Sequence, residues 1–211
     1  MRKLFTLLSL LSAMSAANAQ STAVRLIIGE GHKVYTKPAF GNYCMGAGVD
    51  RTFNDKLTIG LDATFDVAAG LKAGPVFVQS PTSGIEASLV PHLMSINYHT
   101  EYALGDNDGT HLYIGSFLGL RRIKQDWTVT DTRNDGYTEQ RTTVSKMLVP
   151  VGIRTGLRGT TDGGFMDLYA ELGYQIGGGK ELRSDALLKG APYTKTSSLA
   201  FAIGLAYGFG W

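Results

Sequence analysis

The C-terminal segment of the chain alternates strictly between large apolar side chains and very small ones. The large residues are Leu199, Phe201, Ile203, Leu205, Tyr207, Phe209 and Trp211. Only alanine and glycine stand between them. A period of two is typical of a β-strand, because successive side chains point to opposite faces. Since the small face suits a cramped interior and the large face an apolar surrounding, the pattern predicts the last strand of a transmembrane β-barrel.

The N-terminal segment has the features of a secretion signal. Arg2 and Lys3 precede an apolar run at residues 4–13, and small residues follow at Ala17 and Ala19, as a signal peptidase requires. The run is shorter than the roughly 20 residues of a transmembrane helix. We therefore expect residues 1–19 to be a cleaved signal peptide and residues 20–211 to form one outer-membrane β-barrel domain.

The charge balance argues against a nucleic-acid partner. The chain has 20 basic and 18 acidic residues, and removal of Arg2 and Lys3 with the signal makes the two numbers equal. A neutral chain without a basic cluster does not fit nucleic-acid binding. Cys44 is the single cysteine, so no intramolecular disulfide is possible, and we expect a small side chain packed inside.

Period-two patterning recurs along the whole of the expected mature chain. It predicts strands at residues 22–30, 42–53, 56–69, 87–102, 110–124, 143–158, 165–176 and 197–211. Eight is an even number and the smallest usual for barrels of this kind. The connections alternate between short polar turns and long loops, which is typical of a barrel whose two ends lie in the periplasm. The expected fold class is all-β, an eight-stranded antiparallel up-and-down transmembrane β-barrel.

The small face of these strands also carries charges of both signs. The inward-facing charged residues are Arg25, Asp50, Asp62, Asp66, Glu101, Arg121, Arg154, Arg158, Asp167 and Glu171. In the weakly patterned first strand, Gly29 is expected on the same face as Arg25. A soluble lipocalin-like barrel would instead present many Lys and Glu residues on its polar face. Opposite charges mixed with glycine favour a narrow lumen filled by side chains.

We predict that part of this charged set interlocks and plugs the lumen, because buried charges must be paired. The predicted lumen network is Asp62, Glu101, Arg121, Arg154, Arg158, Asp167 and Glu171. Aromatic residues near the strand ends, such as Tyr43, Tyr102 and Tyr174, are expected at the membrane boundaries.

Together these features resemble the small outer-membrane β-barrel proteins of Gram-negative bacteria, the OmpX-like and OmpA-barrel-like group. The resemblance rests on the signal segment, the strand count, the alternation of loop lengths and the terminal run at residues 205–211. It implies a location in the outer membrane, contact with its lipids, and a last strand recognised by the barrel-assembly machinery through Leu205, Tyr207, Phe209 and Trp211. That group usually ends in Phe, where this chain has Trp. No wall-binding domain is expected after the barrel.

Two short motifs match known binding loops only in part. Residues 177–180 are Gly-Gly-Gly-Lys, but the spacing and the following Ser/Thr of a phosphate loop are missing. Residues 106–109 are Asp-Asn-Asp-Gly, but the later ligands of a calcium loop are missing. No cofactor and no metal are expected.

One line of side chains is the best candidate for catalysis. Ser95, Asn97, His99 and Glu101 share a face of one predicted strand. Residues two apart on a strand are separated by nearly 7 Å, which is too far for direct proton transfer, and this face points away from lipid. We therefore expect no catalytic residues, with a lipid-modifying or lipid-hydrolysing enzyme as the alternative.

The long loops are the expected place of function. Residues 125–142 include Trp127, Arg133, Tyr137 and Arg141 and are able to prolong a hairpin beyond the membrane, where an exposed strand edge can bind an extracellular protein or surface. The expected role is structural or surface-interacting, in a monomer with a plugged lumen. A narrow passive channel is the second alternative.

Overall fold

A computed structural model describes residues 21–37, 42–67, 76–77, 84–105, 109–134, 136–182 and 193–210. The expected signal peptide, the turn at Asp106–Asp108 and the terminal Trp211 lie outside the described residues. In the described part of the chain, no helix is long and apolar enough to cross a membrane.

The described residues form twelve strands. They are β1 (Ser21–His32), β2 (Tyr35–Lys37), β3 (Asn42–Phe53), β4 (Leu57–Asp66), β5 (Val76–Phe77), β6 (Ile85–Leu104), β7 (Thr110–Asn134), β8 (Gly136–Thr161), β9 (Gly164–Ile176), β10 (Glu181–Leu182), β11 (Thr194–Thr196) and β12 (Leu199–Gly210). Eight of them pair antiparallel in the ring order β1, β3, β4, β6, β7, β8, β9, β12. The last closes on the first, with Arg25 opposite Gly208. The predicted eight-stranded antiparallel barrel is confirmed.

The outer surface of the ring is apolar. Leu168 and Leu172 of β9 are 52% and 57% exposed, and Leu61 and Phe65 of β4 are 54% and 59% exposed. The side chains between them point inward and are buried, as at Asp62 and Asp167. An apolar exterior around a polar interior is the arrangement of a transmembrane barrel rather than of a soluble one.

A β-bulge interrupts β1 and corrects the predicted face of Gly29. The pairing with β12 and with β3 shifts after Ile27. Below the bulge Arg25 and Ile27 point inward, whereas above it Glu30 and His32 are the buried residues. Gly29 itself lies against the ring of outward-facing Tyr43, not in the lumen. Because an extra residue reverses the two-residue alternation, the bulge adds two polar side chains to the interior.

Strands β6, β7 and β8 continue well beyond the lipid-facing band. The segment of β7 from Arg122 to Asn134 extends about 40 Å at roughly 3.3 Å per residue. We call the three-stranded sheet formed by residues 85–93, 122–134 and 136–146 the extension. The predicted prolonged hairpin is present, but Trp127 is only 2% exposed: its indole lies inside, so it is not an exposed binding residue. The side chains of Arg133 and Tyr137 lie outside the described residues.

A small sheet lies across the mouth of the barrel at the loop end. Strand β11 pairs with β10 on one side and with β2 on the other, and we call these three strands the cap sheet. The cap sheet is tied to the ring by side-chain hydrogen bonds: Gln125 Nε2 of β7 donates to Thr194 Oγ1 of β11 at 2.9 Å.

Candidate functional site

Arg154 is the centre of an ionic cluster in the middle of the lumen. Its Nε lies 3.0 Å from Glu101 Oε1, and its NH1 lies 3.2 Å from both Asp62 Oδ2 and Glu171 Oε1. These partners come from β6, β4 and β9, so this one guanidinium connects four strands across the barrel. Arg154 is fully buried.

Two further arginines complete what we call the central cluster. Arg158 NH2 lies 2.7 Å from Glu101 Oε2, 3.1 Å from Asp167 Oδ2 and 3.3 Å from Asp50 Oδ2. Arg25 of β1 lies 3.2 Å from Asp167 and 3.4 Å from Asp50. The central cluster is therefore Arg25, Asp50, Asp62, His99, Glu101, Arg154, Arg158, Asp167 and Glu171.

His99 is the imidazole within this cluster. Its Nε2 lies 3.2 Å from Asp50 Oδ1 and 3.5 Å from Glu101 Oε1, and its Nδ1 lies 3.3 Å from Asp62 Oδ2. The contact with Glu101 corrects the expectation that residues two apart are out of reach, because a long side chain can lean along its strand. Donor atoms of Asp50, His99 and Glu101 lie within 4.8 Å of one another, but each carboxylate also contacts an arginine, which opposes a metal ion there.

Arg121 lies outside the central cluster, in a second group nearer the loop end. Its NH2 is 2.9 Å from His32 Nδ1 and its NH1 donates to Gln175 Oε1 at 2.8 Å. His32 Nε2 is in turn 2.7 Å from Glu30 Oε2. The structure thus brings six of the seven predicted network residues together and places Arg121 with partners that the β1 bulge turns inward. Neither Glu30 nor His32 could be found from a uniform alternation.

Aromatic rings lie against the arginines. The ring centroid of Tyr169 is 3.9 Å from the Arg154 guanidinium carbon, and that of Phe165 is 4.3 Å from the guanidinium carbon of Arg158. Tyr113 donates from its hydroxyl to Asp167 Oδ1 at 2.8 Å. The guanidiniums of Arg154 and Arg158 therefore each have both a charged edge contact and a ring against the face, which is a favourable setting for a desolvated cation.

Gly204 makes room for the Tyr169 ring, and valine at this position should destabilise the barrel. A Cβ atom at residue 204 would lie 2.2 Å from Tyr169 Cζ, and the ring cannot retreat because Arg154 covers it. We expect Gly204→Val to lower the free energy of unfolding by about 1–3 kcal/mol, measured by urea titration in detergent micelles. Gly31→Val is the matched control, because the nearest atom there is 4.0 Å away. Equal stabilities of the two variants would contradict the packing argument.

An apolar cluster separates the polar interior from the loop end, and we call it the plug. Its buried members are Val34, Tyr35, Cys44, Leu93, Ile123, Leu148 and Leu182. Further out, Trp127 packs with Ala87, Leu89 and Val129 on the inner face of the extension. The inner face of the extension is thus filled by side chains and is not open to solvent.

The opposite end of the lumen is open. Taking the short turns as periplasmic, a cavity of about 210 Å³ opens there, and we call it the vestibule. Asp50, Glu101 and Arg158 line it together with His111 and Thr58. The central cluster is therefore reached from the periplasmic end and covered by the plug at the other.

The expected assembly-signal residues lie on the last strand. Leu205, Tyr207 and Phe209 alternate with the buried Ala206 and Gly208, and the rings of Tyr207 and Phe209 meet edge to face with centroids 4.7 Å apart. This face is continuous with the lipid-facing surface.

No protein-family model matches the chain, and no curated protein matches its sequence. Solved structures with a similar course include the N-terminal β-barrel domain of Pseudomonas aeruginosa OprF, with 14% identity, 92% of this chain and 98% of that chain covered, and a TM-score of 0.41. Ail, the attachment invasion locus protein of Yersinia pestis, has 11% identity over 92% and 99% of the two chains and a TM-score of 0.47. The outer membrane protein OprG of Pseudomonas aeruginosa has 12% identity over 92% and 97%, with a TM-score of 0.44.

These similarities are weak, and the assignment of this chain rests on its own strand ring. Eight antiparallel strands close on themselves, the exterior is apolar and the interior is ionic. This is the architecture of a bacterial outer-membrane β-barrel of the smallest size class. The expected fold, the outer-membrane location and the likeness to small OmpA-type and OmpX-type barrels are confirmed at this level.

Proposed function

We propose that this protein is a non-enzymatic, non-conducting outer-membrane β-barrel that binds partners outside the cell through the extension. The observation that carries the proposal is the filling of the extension by Trp127 and its apolar neighbours. Because side chains pack on its inner face, the extension is a stiff sheet rather than a set of mobile loops. Its outer face remains available to bind a partner. Loops positioned by a rigid scaffold are where binding residues commonly lie.

The outer face of the extension is polar and ordered by cross-strand contacts. Asp126 Oδ2 lies 2.9 Å from Lys124 Nζ and 3.0 Å from His92 Nε2, and its Oδ1 accepts from Thr143 Oγ1 at 2.6 Å. Partial burial would raise the pKa of the Asp126 carboxyl, but the hydrogen bonds from Thr143 and Lys124 outweigh it and lower that pKa. A fixed carboxylate between a lysine and a histidine is a surface suited to a polar protein or carbohydrate partner.

The surface role can be tested by reversing charge on this face. We expect bacteria that display the wild-type protein to adhere to immobilised extracellular proteins or polysaccharides more than vector-only bacteria do. Lys124→Glu with Arg141→Glu should remove that difference, whereas Lys56→Glu at a periplasmic turn should retain it. Wild-type cells that adhere no better than vector-only cells across the panel would refute the role.

The closed lumen predicts an absence of ion conduction. The central cluster fills the barrel with buried charged side chains, and the plug lies between it and the extracellular end. In a planar bilayer, the purified protein should give no stable single-channel steps under conditions in which a porin reconstituted alongside conducts. Reproducible open-channel currents from the wild-type protein would favour a passive channel instead.

The geometry of the candidate catalytic line, Ser95 to Glu101, does not favour an enzymatic function. Ser95 donates its hydroxyl hydrogen bond to Asn97 Oδ1 at 3.0 Å, and His99 is engaged by three carboxylates. A hydrolase would need the serine beside the imidazole. Both residues are also buried away from the lipid-facing surface.

We propose two further partners, each of which would contact the outer surface of the barrel. The apolar exterior supports contact with outer-membrane lipids, and Leu205, Tyr207 and Phe209 support recognition by the barrel-assembly machinery. Arg122 and Lys124 stand directly above the lipid-facing Leu120 on β7, where they can meet anionic headgroups. A monomer is consistent with a ring that has no unpaired strand edge among its membrane-spanning segments.

A further inference from the structure

The central cluster has too few arginines for its carboxylates. Three guanidiniums, those of Arg25, Arg154 and Arg158, face five carboxylates. The carboxylates are Asp50, Asp62, Glu101, Asp167 and Glu171, and all are buried. An uncompensated buried charge costs several kcal/mol, so the cluster needs a further positive charge.

The two buried histidines of the lumen have opposite surroundings. His32 Nδ1 faces Arg121 NH2 at 2.9 Å, and its Nε2 faces Glu30 Oε2 at 2.7 Å. Because a guanidinium only donates, Nδ1 must accept, and His32 is the neutral imidazole. His32 therefore serves as a reference for a neutral histidine in the same lumen, against which His99 can be compared.

His99 has a carboxylate oxygen opposite each ring nitrogen. Nδ1 faces Asp62 Oδ2 at 3.3 Å, while Nε2 faces Asp50 Oδ1 at 3.2 Å and Glu101 Oε1 at 3.5 Å. A carboxylate only accepts, so a neutral ring would leave one lone pair directed at an anion. Arg25 NH1 also lies 3.2 Å from Nε2. Unlike Nδ1 of His32, however, Nε2 of His99 faces two carboxylate oxygens as well, and NH1 has carboxylate acceptors of its own at 3.4 and 3.6 Å, so acceptors outnumber donors at this nitrogen.

We propose that His99 is the fourth cation of the central cluster, an imidazolium whose proton comes from the periplasm through the vestibule. Six strands of the ring contribute charged side chains to the surroundings of His99. They are Arg25 of β1, Asp50 of β3, Asp62 of β4, Glu101 of β6, Arg154 and Arg158 of β8, and Asp167 and Glu171 of β9. The vestibule is lined by Asp50 and Glu101, so the two carboxylates nearest Nε2 border the open end of the lumen. This assignment holds whether or not the extension binds a partner.

Nitrogen NMR of the histidine rings tests the proposal directly. In protein labelled with ¹⁵N-histidine and folded in micelles at neutral pH, His99 should show protons on both ring nitrogens and His32 a proton on Nε2 alone. His99→Gln and His32→Gln assign the signals. A His99 ring with one unprotonated nitrogen at neutral pH would overturn the proposal.

A charge-rescue cycle gives a second, independent readout. His99→Gln should lower the folding equilibrium constant about tenfold or more, since it leaves a buried carboxylate without its donor. Asp50→Asn should also destabilise the wild-type protein, yet it should stabilise the His99→Gln background by removing the excess negative charge. Loss of stability from Asp50→Asn in both backgrounds would contradict a cationic His99. Should His99→Gln fail to fold, the NMR result on the wild-type protein still decides.

Discussion

Replacement of Arg154 by methionine is expected to lower the free energy of unfolding by about 3–5 kcal/mol, the cost of removing one partner from a buried ionic group. Methionine fills much of the volume, but it leaves Asp62, Glu101 and Glu171 without the guanidinium that they share. It also removes the cation from the face of the Tyr169 ring. The measurement is reversible urea unfolding in micelles, followed by the fluorescence of the buried Trp127.

Arg141→Met is the matched control for that experiment. Arg141 lies on the outer face of the extension with 79% of its side chain exposed, and its Nε is 2.7 Å from Glu139 Oε1. An exposed ion pair contributes only about 0–1 kcal/mol, so this variant should unfold close to the wild type. Adding Glu171→Gln to Arg154→Met should recover part of the loss. An Arg154→Met protein as stable as Arg141→Met would show that the central cluster does not stabilise the barrel.

The second large effect is expected from Leu168→Arg on the lipid-facing surface. Leu168 lies opposite Leu157 and Leu205 on the neighbouring strands, in the middle of the apolar exterior. An arginine near the bilayer midplane costs about 2–4 kcal/mol, and the cost falls to about 0–1 near the interfaces. Urea unfolding in lipid vesicles, together with the heat-dependent shift in gel mobility, measures it.

Ser145→Arg is the control for position along the strand. Ser145 points outward on β8, opposite Lys124 and above the apolar band, so the same residue placed there should cost about 1 kcal/mol or less. If the two arginines destabilise the barrel equally, or if Leu168→Arg has no effect in vesicles, the lipid-facing surface has been assigned wrongly.

Most of the ring could be predicted from the sequence because, outside β1, its two-residue alternation is uninterrupted. Strand β9 illustrates this: Asp167 and Glu171 are buried as predicted, and the strand alternates between inward and outward side chains along its length. The glycine and alanine positions of β12 likewise indicated a crowded interior before any ring could be placed against Gly204. The two-residue period and the sizes of the side chains together are sufficient to predict the barrel architecture.

The parts that could not be predicted depend on contacts between distant strands. The bulge after Ile27 has no strong local signal, so Glu30 and His32 could not be assigned to the lumen. Arg121 could be placed inside but not matched to its partners, since the choice between Gln175 and Glu171 depends on stagger across the barrel. The sequence placed His99 on the best candidate line for catalysis while predicting no catalytic residue. It could not show that carboxylates from three strands surround the ring.

The extension has one further consequence, visible along β7 alone. Up to Leu120 the aliphatic residues point outward, while the rings of Tyr113 and Phe117 already lie inside, and from Ile123 onward the aliphatic residues also point inward, although the strand is continuous and its pleat unchanged. The face of the strand that carries the aliphatic residues thus changes between Leu120 and Ile123. This change marks the boundary between the lipid-facing and the water-facing part of the outer surface. A thicker bilayer would have to desolvate Lys124, and a thinner one would expose Leu120 to water. The depth of the barrel in the membrane is therefore set by the position along β7 at which the aliphatic residues change from the outer to the inner face.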